Sequence, residues 1–179
     1  MTSFITLPGI GGSAQTHWQS YWEADDPSFT RFQPADWDQP DLDNWQNALE
    51  RAIDGSRTPP VLVAHSLACL LLVHSAGQIA GRVKGAFLVS VPDPSSASFP
   101  AEAASFANPP GQALSFPALV IASSNDPYAT PAYVRKCAGE WGAGLIEIGA
   151  CGHINDASGL GSWPLGRMLL DAFCAGLRD

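Results

Sequence analysis

The sequence predicts an α/β fold in which a mainly parallel sheet lies between two layers of helices. Short apolar runs rich in β-branched residues alternate with longer helix-like segments, and this alternation is typical of parallel strands joined by helical crossovers. The shares of hydrophobic and charged residues, 46% and 15%, are ordinary for a globular protein. We therefore expect a single three-layer α/β/α sandwich domain over residues 1–179.

Six segments are predicted to form strands. Residues 61–64, Val-Leu-Val-Ala, show the pattern most clearly, because short continuous apolar runs suit strands that are buried on both faces. Comparable runs lie at residues 4–7, 83–91, 118–123 and 145–148, with a weaker one at 29–32. Helices are expected at residues 15–23, 42–53, 67–80, 131–141 and 164–177. The segment at 67–80 is rich in Leu and Ala and too long for an ordinary strand, so we expect a mostly buried helix.

One long segment, residues 92–117, shows neither pattern and is rich in Pro, Ser and Ala. A loop of this length inside a globular domain is often functional, which favours the interpretation that this segment covers a pocket. The alternative is a solvent-exposed connection with one helical turn near residues 101–106. The sequence leaves both possibilities open.

The charge and the cysteines exclude several classes of function. Seventeen acidic and nine basic residues give a formal net charge of −8, so we expect neither nucleic acid nor a membrane as a partner. The four cysteines are widely spaced and form no Cys-x-x-Cys pair, so neither a metal site nor a disulfide framework is predicted. The first residues show no signal-peptide pattern and no segment reaches transmembrane length, which favours a cytoplasmic protein.

The most informative residue is Ser66, which stands between the predicted strand at 61–64 and the predicted helix at 67–80. A serine on such a sharp turn is presented outward by a strained backbone, and the residues two before and two after it must be small. Here they are Ala64 and Ala68 instead of the usual two glycines. A helix N-cap serine is the alternative, since strand-to-helix turns favour serine in that role too.

An acid and a histidine follow Ser66 in the order that such a nucleophile requires. Asp126 comes after the strand at 118–123, where ligands bind in open α/β sheets, although an Asp-Pro turn or a helix N-cap also explains it. His153 lies on a Gly-rich loop after the strand at 145–148. We therefore predict Ser66, Asp126 and His153 as the catalytic residues. The other histidines are better explained as packing or surface residues: His17, His65 and His74.

The predicted reaction also needs two backbone N–H groups that stabilise an oxyanion. Leu67, directly after Ser66, supplies the first. The second is predicted on the glycine-rich loop Leu-Pro-Gly-Ile-Gly-Gly-Ser at residues 7–13, where we prefer Ile10 to Gly11 as the donor.

The same loop contains Gly9-x-Gly11-x-x-Ala14, a weak dinucleotide-binding pattern. Such a site needs an acidic residue at the end of the next strand to bind the ribose. Asp36 is the nearest acid, but Pro34 precedes it and the match is poor. No cofactor is therefore expected.

Four stretches of the chain resemble the small serine hydrolases of the retinoblastoma-binding protein nine and YdeN group, a branch of the α/β-hydrolase fold. They are LPGIGGSAQTHWQSYWE near the N-terminus, VLVAHSLAC around Ser66, ASSNDPYATPAYVRKCAGEWGAGLIEIG around Asp126, and GHINDASGLGSWPLG around His153. The resemblance covers nearly the whole chain and implies the same nucleophile, acid and base. It implies no contact with the retinoblastoma protein, because no Leu-x-Cys-x-Glu stretch surrounds any cysteine.

Taken together, these features predict a serine hydrolase that cleaves a small carboxylic ester or amide through an acyl-enzyme intermediate. We expect Asp126 and not Asp156 to be the acid, because Asp126 emerges from a different strand and can approach Nδ1 of His153. Asp156 lies in the histidine's own loop, where a carboxylate is expected to cap the local turn. The alternative function is a non-catalytic binding protein that retains the fold. The sequence predicts neither the physiological substrate nor the oligomeric state.

Overall fold

In the part of the chain that the structure describes, six parallel strands form one central sheet. The computed structural model describes residues 2–177 of the chain. The strands are β1 (Phe4–Leu7), β2 (Phe29–Arg31), β3 (Val61–His65), β4 (Gly85–Val89), β5 (Ala118–Ala122) and β6 (Gly144–Glu147). They lie in the order β2-β1-β3-β4-β5-β6, and every pairing is parallel. The predicted α/β fold is confirmed, and the weakly predicted strand at 29–32 is present as β2.

Helices cover both faces of this sheet. They are α1 (Trp18–Asp25), α2 (Leu42–Asp54), α3 (Leu67–Ile79), α4 (Pro131–Trp141) and α5 (Pro164–Gly176). The helices α2, α3 and α4 pack on one face, in a core that includes Trp45, Leu70 and Trp141. The helices α1 and α5 pack on the other face, where Trp18 and Leu170 are buried. None of the described helices is long and apolar enough to cross a membrane.

Two elements differ from the sequence-based expectation by two residues or more at an end, while the others differ by at most one. The strand β4 is shorter than the predicted run at 83–91, because the chain leaves the extended conformation at Ser90, where φ is +56°. The helix α1 begins at Trp18 and not at residue 15, because His17 is its N-cap. The Nδ1 atom of His17 accepts a hydrogen bond from the N–H of Gln19.

The segment at 92–117 joins β4 to β5 without an α-helix. It contains a 3₁₀ helix, Ala101–Phe106, at the position of the predicted helical turn. Ala103 and Phe106 are fully buried in the core beside α2 and α3. Nε2 of His74, on α3, donates a hydrogen bond to the Phe106 carbonyl oxygen over 3.0 Å. The turn is therefore anchored to the core through Ala103 and Phe106, whereas its other four residues are exposed, as the alternative of a solvent-exposed connection predicted.

Candidate active site

The order of the strands reverses between β1 and β3, and this reversal positions the candidate site. After β1 the chain moves outward to β2 and then returns to the other side of β1 as β3. Loops that leave the carboxyl ends of two such strands diverge and open a crevice, which is the usual ligand site of an open α/β sheet. A pocket of about 370 Å³ lies there, lined by residues of the loops that follow β1, β3, β4, β5 and β6.

Ser66 occupies the turn between β3 and α3 in a strained conformation. Its φ of 56° and ψ of −125° are rare for any residue except glycine and cost about 1–3 kcal/mol. Its N–H donates to the carbonyl oxygen of Val89 over 2.9 Å, which holds the turn against β4. The Ser66 side chain makes no capping hydrogen bond to α3 and instead lines the pocket. The N-cap alternative therefore does not account for this serine.

The neighbours of Ser66 are packed too tightly for larger side chains. Ala64 and Ala68 are both fully buried. A Cβ atom placed on Gly9, in the loop after β1, would lie 2.9 Å from Ser66 Cβ and 3.2 Å from the His65 carbonyl oxygen. Carbon atoms do not approach so closely without displacement, so the glycine allows this loop to lie directly against the turn.

The structure brings Ser66, Asp126 and His153 into contact at this pocket. Nε2 of His153 lies 2.8 Å from Ser66 Oγ, and Nδ1 lies 2.9 Å from each carboxylate oxygen of Asp126. A carboxylate accepts hydrogen bonds, so it fixes the ring proton on Nδ1 and leaves the lone pair of Nε2 facing the hydroxyl. The side chains of His153 and Asp126 are only 8% and 4% exposed, which shields this contact from solvent. Their roles in catalysis stay a prediction.

The competing carboxylate, Asp156, lies elsewhere. It is exposed and contributes to the rim of the pocket. The expectation that it caps its own turn is wrong, because Asn155 makes that cap. Asn155 Oδ1 accepts the N–H of Ala157, and Ser158 Oγ accepts the N–H of Asn155. The residue that precedes the turn is the one whose side-chain oxygen reaches an N–H two residues on, which favours Asn155.

A side-chain clamp joins the loop after β5 to the loop after β6. Asn125 Oδ1 accepts hydrogen bonds from the Gly152 N–H over 2.7 Å and from the Ser123 hydroxyl over 2.9 Å. Ser123 Oγ in turn accepts the N–H of Cys151 over 2.9 Å. The clamp fixes the spacing of the two loops that carry the candidate acid and base. The sequence analysis missed it, and the available signal was the run of short polar residues after a buried strand.

Two buried side chains, one at the end of β3 and one at the start of α1, hold the backbone around His153. Nε2 of His65 donates to the His153 carbonyl oxygen, and Nε1 of Trp18 donates to the Ile154 carbonyl oxygen, both over 2.9 Å. This support matters because Ile154 has a φ of +50°, which is unusual for a β-branched residue. Burial lowers the pKa of His65 well below its ordinary value, so His65 acts here as a neutral donor.

The two predicted oxyanion donors, Ile10 and Leu67, both line the pocket beside Ser66. Leu67 is the first residue of α3, so its N–H has no acceptor within the helix. The N–H of Gly11, the alternative to Ile10, already donates to the Trp37 carbonyl oxygen over 3.1 Å. The hydrogen bonding of the loop therefore favours Ile10 over Gly11.

Arg31, at the end of β2, anchors the glycine-rich loop from behind. Its guanidinium donates to the carbonyl oxygens of Gly12 and Ser13 over 2.5 and 3.1 Å and pairs with Glu23 at 3.0 Å.

The glycine-rich loop does not match a dinucleotide site, in which the helix begins within the glycine pattern. Here α1 begins at Trp18, beyond the whole pattern.

Comparison with known proteins identifies the family. The model of a family described as serine hydrolase matches residues 4–172. The chain belongs to the serine hydrolase family. This serine hydrolase is similar to a solved structure described as a YdeN-like hydrolase from Pectobacterium atrosepticum, with 30% sequence identity and a TM-score of 0.87. The match covers 97% of this chain and 90% of that chain.

More distant structures share the fold of this serine hydrolase. The ydeN gene product of B. subtilis matches with 20% identity and a TM-score of 0.70, over 98% of this chain and 100% of that chain. Alpha/beta hydrolase domain-containing protein 10 from mouse matches with 14% identity and a TM-score of 0.69, over 97% and 90% of the two chains. A search of curated protein sequences gives no significant match. The resemblance to YdeN-like serine hydrolases and the α/β-hydrolase fold are thus confirmed.

Proposed function

We propose that this serine hydrolase cleaves small neutral carboxylic esters or amides through an acyl-enzyme intermediate on Ser66. The observation that carries the proposal is the pair of contacts made by His153, 2.8 Å to Ser66 Oγ and 2.9 Å to Asp126. Membership of the serine hydrolase family supports hydrolysis as the reaction class. The contacts support these three residues as the ones that perform it.

In the acylation step, Ser66 Oγ attacks the substrate carbonyl carbon while Nε2 of His153 takes the hydroxyl proton. The carbonyl π electrons move to oxygen, which becomes the oxyanion of a tetrahedral intermediate. This intermediate collapses, and the leaving alcohol or amine receives the proton from Nε2. The Asp126 carboxylate stabilises the positively charged imidazolium between the two proton transfers. A water molecule then attacks the acyl-enzyme carbonyl with the same two proton transfers through His153, which releases the carboxylic acid and restores the Ser66 hydroxyl.

The N–H groups of Leu67 and Ile10 stabilise the oxyanion in both steps. Each lines the pocket next to Ser66, and the Leu67 N–H is also at the N-terminus of α3, where the helix dipole favours negative charge. The close approach of Gly9 to Ser66 brings the loop that carries Ile10 to the same side as the nucleophile.

The lining of the pocket favours neutral substrates. Among the residues that the structure describes, the lining includes apolar side chains such as Ile10 and Phe99 and no Lys or Arg, and the Asp156 carboxylate lies at its rim. A carboxylate on the substrate finds no cationic partner there and is repelled by Asp156. The volume of about 370 Å³ suits a small molecule.

A matched pair of esters tests this function. We expect kcat/KM for p-nitrophenyl butyrate to exceed that for mono-p-nitrophenyl fumarate, which is anionic, has the same number of acyl carbon atoms and cannot form a cyclic anhydride, by about tenfold after each value is divided by the rate constant of hydroxide-catalysed hydrolysis. The Ser66→Ala variant is the matched control, because it removes only one oxygen atom. Butyrate hydrolysis that is equally fast with both proteins would contradict the proposal and favour a non-catalytic binding protein.

A further inference from the structure

His17 belongs to the wall of the same pocket and has one ring nitrogen without a partner. The residue is 3% exposed and lines the pocket together with Ser66. Its ring lies 4.8 Å from the ring of His65, and the His65 ring lies 5.0 Å from that of His153, both between centroids. The Nε2 atom of His17 is buried and makes no hydrogen bond to any residue between 2 and 177.

The other ring nitrogen fixes the tautomer and the orientation of His17. The N–H of Gln19 donates to Nδ1 over 3.2 Å, so Nδ1 carries a lone pair and the ring proton is on Nε2. Gln19 is itself held on both sides of its amide. Its Nε2 donates to the Val63 carbonyl oxygen over 3.0 Å, and its Oε1 accepts the Ser13 hydroxyl over 2.8 Å. The unpartnered N–H of His17 therefore has a defined position.

His17 is a neutral donor at physiological pH. Burial lowers its pKa to about 3, and the positive charge of Arg31 contributes to the same shift. A buried N–H without an acceptor is unfavourable, and such groups in native proteins usually meet a ligand, a water molecule or a protein acceptor. A neutral donor in a pocket whose described lining residues include no Lys or Arg suits an uncharged oxygen acceptor.

We propose that His17 is a substrate-binding residue whose Nε2–H donates a hydrogen bond to a second oxygen atom of the substrate, separate from the carbonyl that Ser66 attacks. The inference rests on the proposed hydrolysis and narrows its substrate class. The Nε2–H of His17 would favour esters or amides whose acyl or leaving group carries an uncharged ether, ketone or hydroxyl oxygen, over purely hydrocarbon analogues.

Pairs of esters that differ by one ether oxygen test this inference. The pair p-nitrophenyl methoxyacetate and p-nitrophenyl butyrate probes the acyl group, and the pair 2-methoxyethyl acetate and butyl acetate probes the leaving group. Each kcat/KM is divided by the rate constant of hydroxide-catalysed hydrolysis. We expect the wild type to prefer the ether member of at least one pair by about tenfold. His17→Phe removes the donor and should abolish the preference, whereas His17→Gln keeps an N–H near the Nε2 position and should retain most of it.

The outcomes separate this inference from the proposed function. Hydrolysis of the butyrate ester by the wild type without any ether preference overturns the role of His17 alone, whether or not the variants fold. An ether preference that persists in folded His17→Phe also overturns it. If the wild type hydrolyses none of these esters, the proposed function is contradicted and, with it, this narrower substrate class.

Discussion

Asp126→Asn is expected to lower the rate at which Ser66 is acylated by roughly 10³–10⁴-fold. The Asp126 carboxylate accepts a hydrogen bond from Nδ1 of His153 at 2.9 Å, which keeps the Nε2 lone pair directed at the serine. An asparagine presents an NH₂ group to Nδ1 and favours the opposite tautomer, in which Nε2 carries the proton and cannot act as a base. Pre-steady-state release of p-nitrophenol from p-nitrophenyl acetate measures this acylation rate.

Asp156→Asn is the matched control, because it makes the same chemical change on the neighbouring loop. Asp156 is exposed at the rim of the pocket, so we expect little change in acylation of the uncharged ester. Each variant is first shown to be folded by circular dichroism. The opposite ranking would assign the role of acid to Asp156, and an unchanged rate in both variants would contradict the triad.

The second large effect is on stability: between pH 7.5 and pH 5 the free energy of unfolding is expected to fall by about 2 kcal/mol owing to His17, and to fall further owing to His65. Burial lowers the pKa of both residues in the folded protein, to about 3 for His17. In the unfolded chain both titrate near pH 6.5. Above that pH the two states bind equal numbers of protons, and below it the unfolded state binds more, so stability is lost as the pH falls. Each histidine contributes about 1.4 kcal/mol per pH unit.

Urea denaturation at several pH values measures this loss. The variants His17→Gln and His65→Gln should each reduce the pH dependence between pH 7.5 and pH 5, His17→Gln by about 2 kcal/mol, whatever their effect on stability at neutral pH. The lowered pKa of Asp26 acts at lower pH, because carboxylates titrate near pH 4 in unfolded chains. A free energy of unfolding that stays constant over this range would contradict the account of two buried neutral histidines.

The positions of the candidate catalytic residues could be predicted because each one follows a strand with a strong local signal. Val61 to His65 is a fully buried strand, and a serine immediately after it is distinctive in the sequence alone. Asp126 and His153 likewise follow apolar runs, and parallel strands place their carboxyl ends at one edge of the sheet. The α/β fold could be predicted from the same apolar runs, because they alternate with helix-like segments.

The supporting contacts could not be predicted, because their partners are distant in sequence. His65 bonds to the His153 carbonyl oxygen, and Trp18 bonds to that of Ile154, each across a large sequence separation. Their residue types are compatible with ordinary packing, which was the expectation for His65 and His17. His17 caps α1 by accepting the N–H of Gln19 and also lines the pocket. The sequence contains no local pattern that indicates either role.

The central claim is that Ser66 is a nucleophile activated by His153, and covalent labelling tests it most directly. We expect the folded wild type, treated with a fluorophosphonate, to gain the mass of one adduct, and peptide mapping to place that adduct on Ser66. The Ser66→Ala variant should gain no adduct, and His153→Ala should react far more slowly, because the hydroxyl loses the base that lies 2.8 Å away. A folded wild type that stays unmodified, or an adduct on any other residue, would contradict the claim.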